Sequence, residues 1–498
     1  MPTHPKIKLL ALIASILAPV MGGGGNVRGW TEPVEIDGPL YLGAPRVVAV
    51  GETLHVIAVD PPRAWYIYSR DNGATWSEPV MPIDTSRRIE QPDLRYSDGS
   101  LHLAWREVVG FPGTWQLFHA RSTDGGRSWG TPRQVFNNRT DYIAFPTLVA
   151  NRDTLFVACA MYGGYPFFRS FDAGETWRDS TSIDHGEFSI IQYPRLRYSA
   201  GVLHFVYPMG IFYDSIGYEI FYSRSTDLGF TWSDRIYLSP AEPAPDYRDS
   251  QFPYASIDTA GRVLVTWMDY ANGSMCGISG DIFYRVSLGN GVTWEPVGSI
   301  TNTQSGENSY NLILGDKFHV AWNDNWQYGC NFPKETYSNS SDFGVTWEIP
   351  AVISGPDYTS ERHTALAYTI DPTDTVLHCF YHARTEDNTS SLFYIRSRDF
   401  VSVNERGTPL PDGMSFEAYP NPFNSKITFK FTMANKNSAI EIYNIIGQYI
   451  TKITLEERQC NIVWDGRYEK GGDVASGAYY ATLRSGGLEK TIRITLVR

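Results

Sequence analysis

The chain has 498 residues, with 54 Asp and Glu against 42 Lys and Arg and a formal charge of −12, a balance that argues against nucleic acid and other polyanions as partners. Aromatic residues make up 14% and charged residues only 19%, beside 44 Gly and 30 Pro, which excludes a helical bundle or a disordered chain and favours a turn-rich, all-β protein. The length is enough for one large repeat domain with an appendage.

Residues 1–23 read as a signal peptide: Lys6 and Lys8 precede an apolar run from Leu9 to Val20, and Gly22 to Gly25 follow. The run is too short to span a bilayer, and no later stretch approaches the roughly 18 apolar residues of a membrane helix. The mature chain is expected to lack a transmembrane segment and to be secreted or placed on the outer cell surface by way of the periplasm. Cys159, Cys276, Cys330, Cys379 and Cys460 are too few and too scattered for a disulfide scaffold, and none has zinc spacing. No metal or cofactor is expected, because the chain has no P-loop, no Rossmann glycine fingerprint, no H-E-x-x-H and no EF-hand loop. A Gly-x-Ser-x-Gly nucleophile elbow is missing as well.

From residue 69 onward a motif recurs. Ser69 to Trp76, Ser122 to Trp129, Ser170 to Trp177, Ser225 to Trp232 and Ser340 to Trp347 all keep Ser-x-Asp-x-Gly-x-Ser/Thr-Trp, and Ser287 to Trp294 has Gly289 in place of the Asp. An alternating aromatic segment such as Trp65 to Tyr68 precedes the motif and an extended one such as Ser77 to Val80 follows, so it marks a hairpin turn. Gly supplies the positive-φ position, Asp and Ser bond the turn backbone, and Trp anchors the hairpin on a neighbouring unit. The repeated acids are expected to be structural, since chemistry rarely needs many equivalent copies of one acid.

Each unit opens with a strand introduced by Pro, as in Phe145 to Leu148, Tyr193 to Leu196 and Phe252 to Ala255, and continues with a second strand such as Leu101 to Trp105 or Phe318 to Trp322. Four strands per unit, with the motif Trp residues roughly 50 residues apart, suit a propeller blade and exceed the rungs of a β-helix. The unit from Arg362 to Phe400 lacks a fourth strand, and Gly29 to Val34 copies the Ala74 to Val80 stretch. The N-terminal segment is therefore expected to complete that unit and close the ring, leaving no edge strand. The count is seven blades, with six as the alternative. These repeats resemble the Asp-box, or BNR, repeats of the sialidase-like β-propeller superfamily, over residues 29–400.

Residues 401–415 read as a linker. Beyond it, Phe416 to Asn424, Ile442 to Gln448, Trp464 to Gly466 and Ala475 to Tyr480 fall between short alternating strands, as in a small Ig-like β-sandwich. Over residues 416–498 they resemble the type A C-terminal sorting domain of the type IX secretion system. The resemblance implies export across an outer membrane and the secretion machinery as a partner; a passive Ig-like spacer is the alternative.

In four-stranded blades the first strands and the loops between blades converge on one mouth of the channel. Aligning the units puts Arg46, Asp93, Thr147, Arg195, Tyr254, Asn311 and His363 there, with Arg362 one residue earlier. Three guanidiniums can hold a carboxylate by fixed bidentate hydrogen bonds. The sialidase resemblance implies such a triad, offered by Arg46, Arg195 and Arg362, with Tyr310 as nucleophile, Glu187 or Glu307 as its partner and Asp93 as acid/base. The first blade departs from the family's Arg-Ile-Pro, having Pro45-Arg46-Val47. Salt bridges lining the channel are the competing reading.

The loops between second and third strands carry Phe111, Trp115, Phe212, Tyr213, Tyr270, Trp326 and Tyr328 beside Asp214, Asp269 and Asp324. Aromatic faces flanked by carboxylates suit sugar rings, which makes Trp115, Tyr213 and Trp326 substrate-binding candidates. Aromatic packing that orders the loops is the alternative. Cys276 and Cys330 occupy equivalent loops of neighbouring units, as a disulfide or as two free thiols. The expectation is a protein that recognises extracellular glycans or glycoproteins, and hydrolyses them if a catalytic pair faces the mouth. A non-catalytic carbohydrate-binding, protein-binding or adhesion propeller is the alternative.

Overall fold

In the repeated motif, side chains rebuild a turn whose backbone groups would otherwise go unpaired. Ser122 Oγ donates to Asp124 Oδ1 at 2.9 Å and accepts the Gly126 amide at 2.9 Å, while Asp124 accepts the amide and hydroxyl of Ser128 at 2.9 and 2.5 Å. The same bonds recur at Asp71, Asp172, Asp227 and Asp342. At Ser287 the carboxylate is missing, yet Ser287 Oγ still accepts the Gly291 amide at 2.9 Å. The bonds from Ser128 hold the Asp124 carboxyl down to about 2. The repeated acids are fixed acceptors of turns.

The computed structural model describes residues 30–36, 44–60, 63–83, 88–109, 114–137, 142–183, 193–211, 217–239, 250–270, 274, 279–325, 333–354, 359–370, 375–384, 390–397, 416–420, 423–431, 438–444, 449–456, 461–468, 471–485 and 488–497. The signal peptide, the linker, Glu187, Tyr213, Trp326, Cys276 and Cys330 lie outside the described residues. The chain divides into two units, Met1–Val403 and Asn404–Arg498.

Among the described residues, the strands of the first unit make seven antiparallel sheets. A representative one runs in chain order through Glu90–Ser97, Ser100–Val109, Thr114–Ser122 and Arg133–Asn137. The first strands adjoin in a cycle: Arg46–Val50 lies beside Glu90–Ser97, followed by Ile143–Asn151, Arg195–Ser199, Ser250–Ile257, Gly306–Leu314 and Thr359–Ile370, which returns to Arg46–Val50. The last sheet is completed from the N-terminal side. Val34–Ile36 pairs antiparallel with Ser390–Arg396, Val34 opposite Tyr394, and Trp30 bridges Ser397. Second strands such as Thr53–Asp60 are buried through Leu54 to Val59 because sheets cover both of their faces.

Neighbouring sheets are joined by one aromatic contact repeated seven times. Trp76 meets Tyr394, Trp129 meets Tyr66, Trp177 meets His119, Trp232 meets Phe167, Trp294 meets Tyr222, Trp347 meets Tyr284 and Trp30 meets Tyr337, edge to face, with ring centroids 4.9 to 5.9 Å apart. Such pairs contribute about 0.5–1.5 kcal/mol each beyond the area they bury. The turn glycine is needed twice over, for its positive φ and for this approach: a Cβ on Gly126 would stand 2.2 Å from the Tyr66 ring.

A histidine on the second strand supports four of these rings. His55, His204, His319 and His378 place Nδ1 at 2.5, 2.7, 2.6 and 2.8 Å from the hydroxyls of Tyr66, Tyr222, Tyr337 and Tyr394. Tyr66 and Tyr394 donate onward to the carbonyls of Gly125 and Asn72 in the adjoining turns, at 3.0 and 3.2 Å.

In the second unit, one sheet joins Phe416–Tyr419, Ile427–Phe431 and Asn461–Trp464, and the other joins Tyr449–Thr454, Ala439–Asn444, Gly477–Ser485 and Leu488–Leu496. Phe416, Phe429, Ile440, Ile442, Trp464 and Ile494 form its core.

Two predictions follow from these turns and histidines. Ser122→Ala leaves the Gly126 amide without its acceptor and should cost about 1–3 kcal/mol in urea unfolding. Burial lowers His55, His102 and His204 to about 4 and His119, His319 and His378 to about 3. Between pH ~6.5 and ~4 the unfolded chain then binds protons that the folded chain refuses, so stability is full above ~6.5 and is lost as pH falls. Glu335, raised by burial, acts in the opposite sense, one group against six histidines. Melting temperature should decline steadily across this window; a flat profile would contradict neutral burial of the histidines.

Candidate functional site

The mouth is built by a repeated defect in the first strands. Register shifts, each inserting extra residues on the first strand, lie between Glu90 and Asp93, Ala144 and Thr147, Gln251 and Tyr254, Glu307 and Tyr310, and Glu361 and Thr364. Within four of them a non-glycine residue takes positive φ: Gln91 at 50°, Phe145 at 51°, Phe252 at 51° and Asn308 at 47°. The Pro that follows Gln91, Phe145 and Phe252 lacks an amide proton, so the ladder loses a bond there at little cost. A bulge re-aims the side chain after it. Asp93, Thr147, Tyr254, Tyr310 and Thr364 therefore occupy equivalent places. The alignment of the units was one residue late at Asn311 and one residue early at His363.

Arg46, Arg195, Tyr193, Phe252, Tyr254, Tyr310 and Thr364 line one cavity of about 50 Å³. Phe145 and Phe252 flank Tyr193, with centroids 3.7 and 5.4 Å away. At the floor, Tyr254 and Tyr310 lie ring against ring at 3.7 Å. The Arg195 guanidinium sits 4.9 Å from the Tyr254 centroid, donates to the Pro253 carbonyl at 3.2 Å, and has no carboxylate within ion-pair distance among the described residues. Burial, then the nearby Arg46 charge, lowers its pKa to about 10.

The proposed catalytic residues are placed unequally. Asp93 is buried, ion-paired to Arg95 at 2.8 Å and 3.9 Å from Arg46, with its second oxygen accepting the Leu148 amide at 2.8 Å. Tyr310 reaches the cavity, where burial and then Tyr254 raise its pKa well above the usual phenol range. Glu307 is bonded by the Asn325 amide at 3.0 Å and is not among the lining residues. The backbone of Arg362 lies in the last bulge; its side chain is outside the description. Asp93 pairs with Arg95 and, more distantly, with Arg46, while Arg46 and Arg195 share the cavity. Arg95 and Arg197, two residues beyond Asp93 and Arg195, escaped the sequence reading, although their alternation with those residues was the signal.

The loop residues pack internally where they are described. Trp115 is edge-on to Tyr142 at 4.8 Å and covered by Arg106 at 4.3 Å. Asp269 accepts from Ser250 and from the Trp267 indole at 2.7 and 3.2 Å, and Asp324 from Ser305 and the Trp322 indole at 2.7 and 3.0 Å. These acids order the ends of their strands.

Residues 417–497 match the family model of the secretion system C-terminal sorting domain, and residues 67–78 match the BNR/Asp-box repeat. No curated protein matches the chain. Among solved structures, an α-L-arabinofuranosidase of Fusarium graminearum is 14% identical with a TM-score of 0.45, covering 73% of this chain and 97% of its own. An α-L-arabinanase of Penicillium chrysogenum, complexed with arabinobiose, is 15% identical, TM-score 0.43, covering 73% and 98%. The sialidase of Trypanosoma rangeli is 10% identical, TM-score 0.39, covering 81% and 84%. Likenesses of this distance assign no activity. The protein carries an Asp-box repeat within a cyclic array of β-sheets and a secretion system C-terminal sorting domain, and it is secreted or displayed at the outer cell surface.

One acid at the edge of the site was missed because it sits on a third strand. Glu335 is fully buried, accepts the Thr364 hydroxyl at 2.8 Å and the Asn323 amide at 2.8 Å, and burial raises its pKa well above the carboxylate range. Burial favours its neutral form, and it pins Thr364 in the cavity wall. Glu335→Gln should therefore change stability by less than about 1 kcal/mol, whereas Glu335→Ala, which strands two donors, should cost about 2–4 kcal/mol in chemical denaturation.

Proposed function

We propose that the seven sheets are the blades of a seven-bladed propeller whose mouth binds carboxylate-bearing extracellular glycans or glycoproteins, and that type IX machinery delivers the chain there. The observation that carries this reading is Arg195: a half-buried guanidinium on the cavity wall beside Arg46, with no carboxylate partner among the described residues. A desolvated cation of this kind is stabilised by an anion that brings its own charge, and two guanidiniums offer fork-shaped donors that match a carboxylate. The aromatic collar of Phe145, Tyr193 and Phe252 supplies the apolar face against which the C–H surface of a sugar rests.

Recognition is favoured over turnover. Asp93 already spends both oxygens on Arg95 and the Leu148 amide, and burial keeps the Tyr310 phenol protonated. A glycosidase needs an acid and a nucleophile or base facing each other across the substrate. Asp93 and Tyr310 would fill those roles only after giving up their present partners.

Titrating the full chain with glucuronate and N-acetylneuraminate, and with their methyl esters, tests the reading. The acids should bind, the esters at least tenfold more weakly, and Arg195→Met should remove the difference. Equal binding of acid and ester would sink the carboxylate reading. Sugar release from glycosides that is abolished by Asp93→Asn would replace recognition with hydrolysis.

A further inference from the structure

Further along the first strands, a second cavity of about 350 Å³ opens into the channel. It shares only Tyr254 and Tyr310 with the mouth, so the stacked pair is the partition between the two spaces. Its wall is otherwise mostly aliphatic, through Val47, Ala49, Leu312, Leu366 and Ala367, with Tyr368, 36% exposed, at its edge. No charged side chain lines it.

The polar side chains of this wall are largely spent within the protein, Asn311 Oδ1 alone being buried without a donor among the described residues. Ser256 Oγ donates to the Asn311 carbonyl at 2.7 Å, and Asn311 Nδ2 donates to Thr266 Oγ1 at 2.9 Å and the Tyr254 carbonyl at 3.1 Å. A saccharide placed here would exchange several hydrogen bonds to water for aliphatic surface, which is unfavourable for every hydroxyl left unpaired. An anion would find no cation in the wall. A flat apolar molecule loses nothing by entering and gains a phenol face to stack on. The space is ample, since an apolar cavity of about 150 Å³ already accepts benzene.

We propose that this chamber is a second ligand site, separate from the arginine-lined mouth, and that it takes a small uncharged aromatic molecule. The two sites divide the channel by chemistry, with charge recognised on one side of the tyrosine pair and apolar surface on the other.

Calorimetric titration of the full chain with 4-methylphenol tests this, with methyl α-glucoside as the neutral sugar control. Saturable binding of the phenol is expected, weakened at least tenfold by Ala49→Phe or Ala367→Leu, which fill the chamber, and unchanged by Arg195→Met. Circular dichroism melts establish which variants are folded, and either filling variant suffices. The proposal is overturned by an absence of saturable phenol binding in the wild-type chain, by unchanged affinity in a folded filling variant, or by tighter binding of the glucoside. Because Arg195 does not enter this site, failure here leaves the carboxylate reading standing, and the converse also holds.

Discussion

The packing of one indole edge against one aromatic ring of the preceding sheet is the contact on which the rest of the first unit depends. It occurs seven times and returns to its start, Trp30 on Tyr337 and Trp76 on Tyr394. A sheet has two faces to bury, and a closed cycle is the arrangement in which every sheet has a neighbour on each side. The Asp-box exists to present that indole. Its serine and aspartate hold the turn, its glycine lets the ring approach, and the tryptophan enters at a fixed height. The histidine behind the ring keeps the tyrosine hydroxyl paired in a place water does not reach.

Because the blade contacts are so uniform, variation is confined to the places they do not constrain. One is the start of each first strand, where bulges at Asp93, Tyr254, Tyr310 and Thr364 turn unlike side chains onto a common mouth. Positive φ at Phe145 and Phe252 is unfavourable for residues with a Cβ. It is tolerated because the cyclic packing over-determines the backbone, and it delivers two aromatic rings to Tyr193. The charge pattern has the same origin: alternation along a strand sets Arg95 beside Asp93 on one sheet and Arg197 beyond Arg195 on another, but among the described residues only the first arginine has an acid to neutralise it.

Much of this was legible in the chain. A motif repeated with its spacing specifies a repeated hairpin, and the copy of that motif's tail near Trp30 was enough to expect the N-terminal strand in the last sheet, as its pairing with Ser390–Arg396 shows. Arg46, Arg195 and Tyr310 were found by the same counting and do meet in one cavity. The counting failed by one residue at Asn311 and His363 because a bulge changes the number of residues between a strand's start and its inward face, and nothing in the residue types near Glu307 announces it. Trp115, Asp269 and Asp324 were candidates either for sugar contact or for loop packing, and in the structure they contact Tyr142, Ser250 and Ser305.

Residue pattern by itself determined what is local or periodic: the turn chemistry, the four-stranded unit, the closing strand, the sorting module and the all-β class. Each rests on interactions within a few residues or on a repeat that every copy restates. Tertiary structure decided what depends on which strands face each other across the channel. That Arg195 has no acid within ion-pair distance among the described residues although Asp93 has one in Arg95, that Glu335 is buried behind Thr364, and that two tyrosines from neighbouring sheets divide the channel are relations set by the packing of strands, most of them between residues tens of positions apart. Burial and distance set the charge states and partners of such groups, and neither quantity is written in the order of the residues.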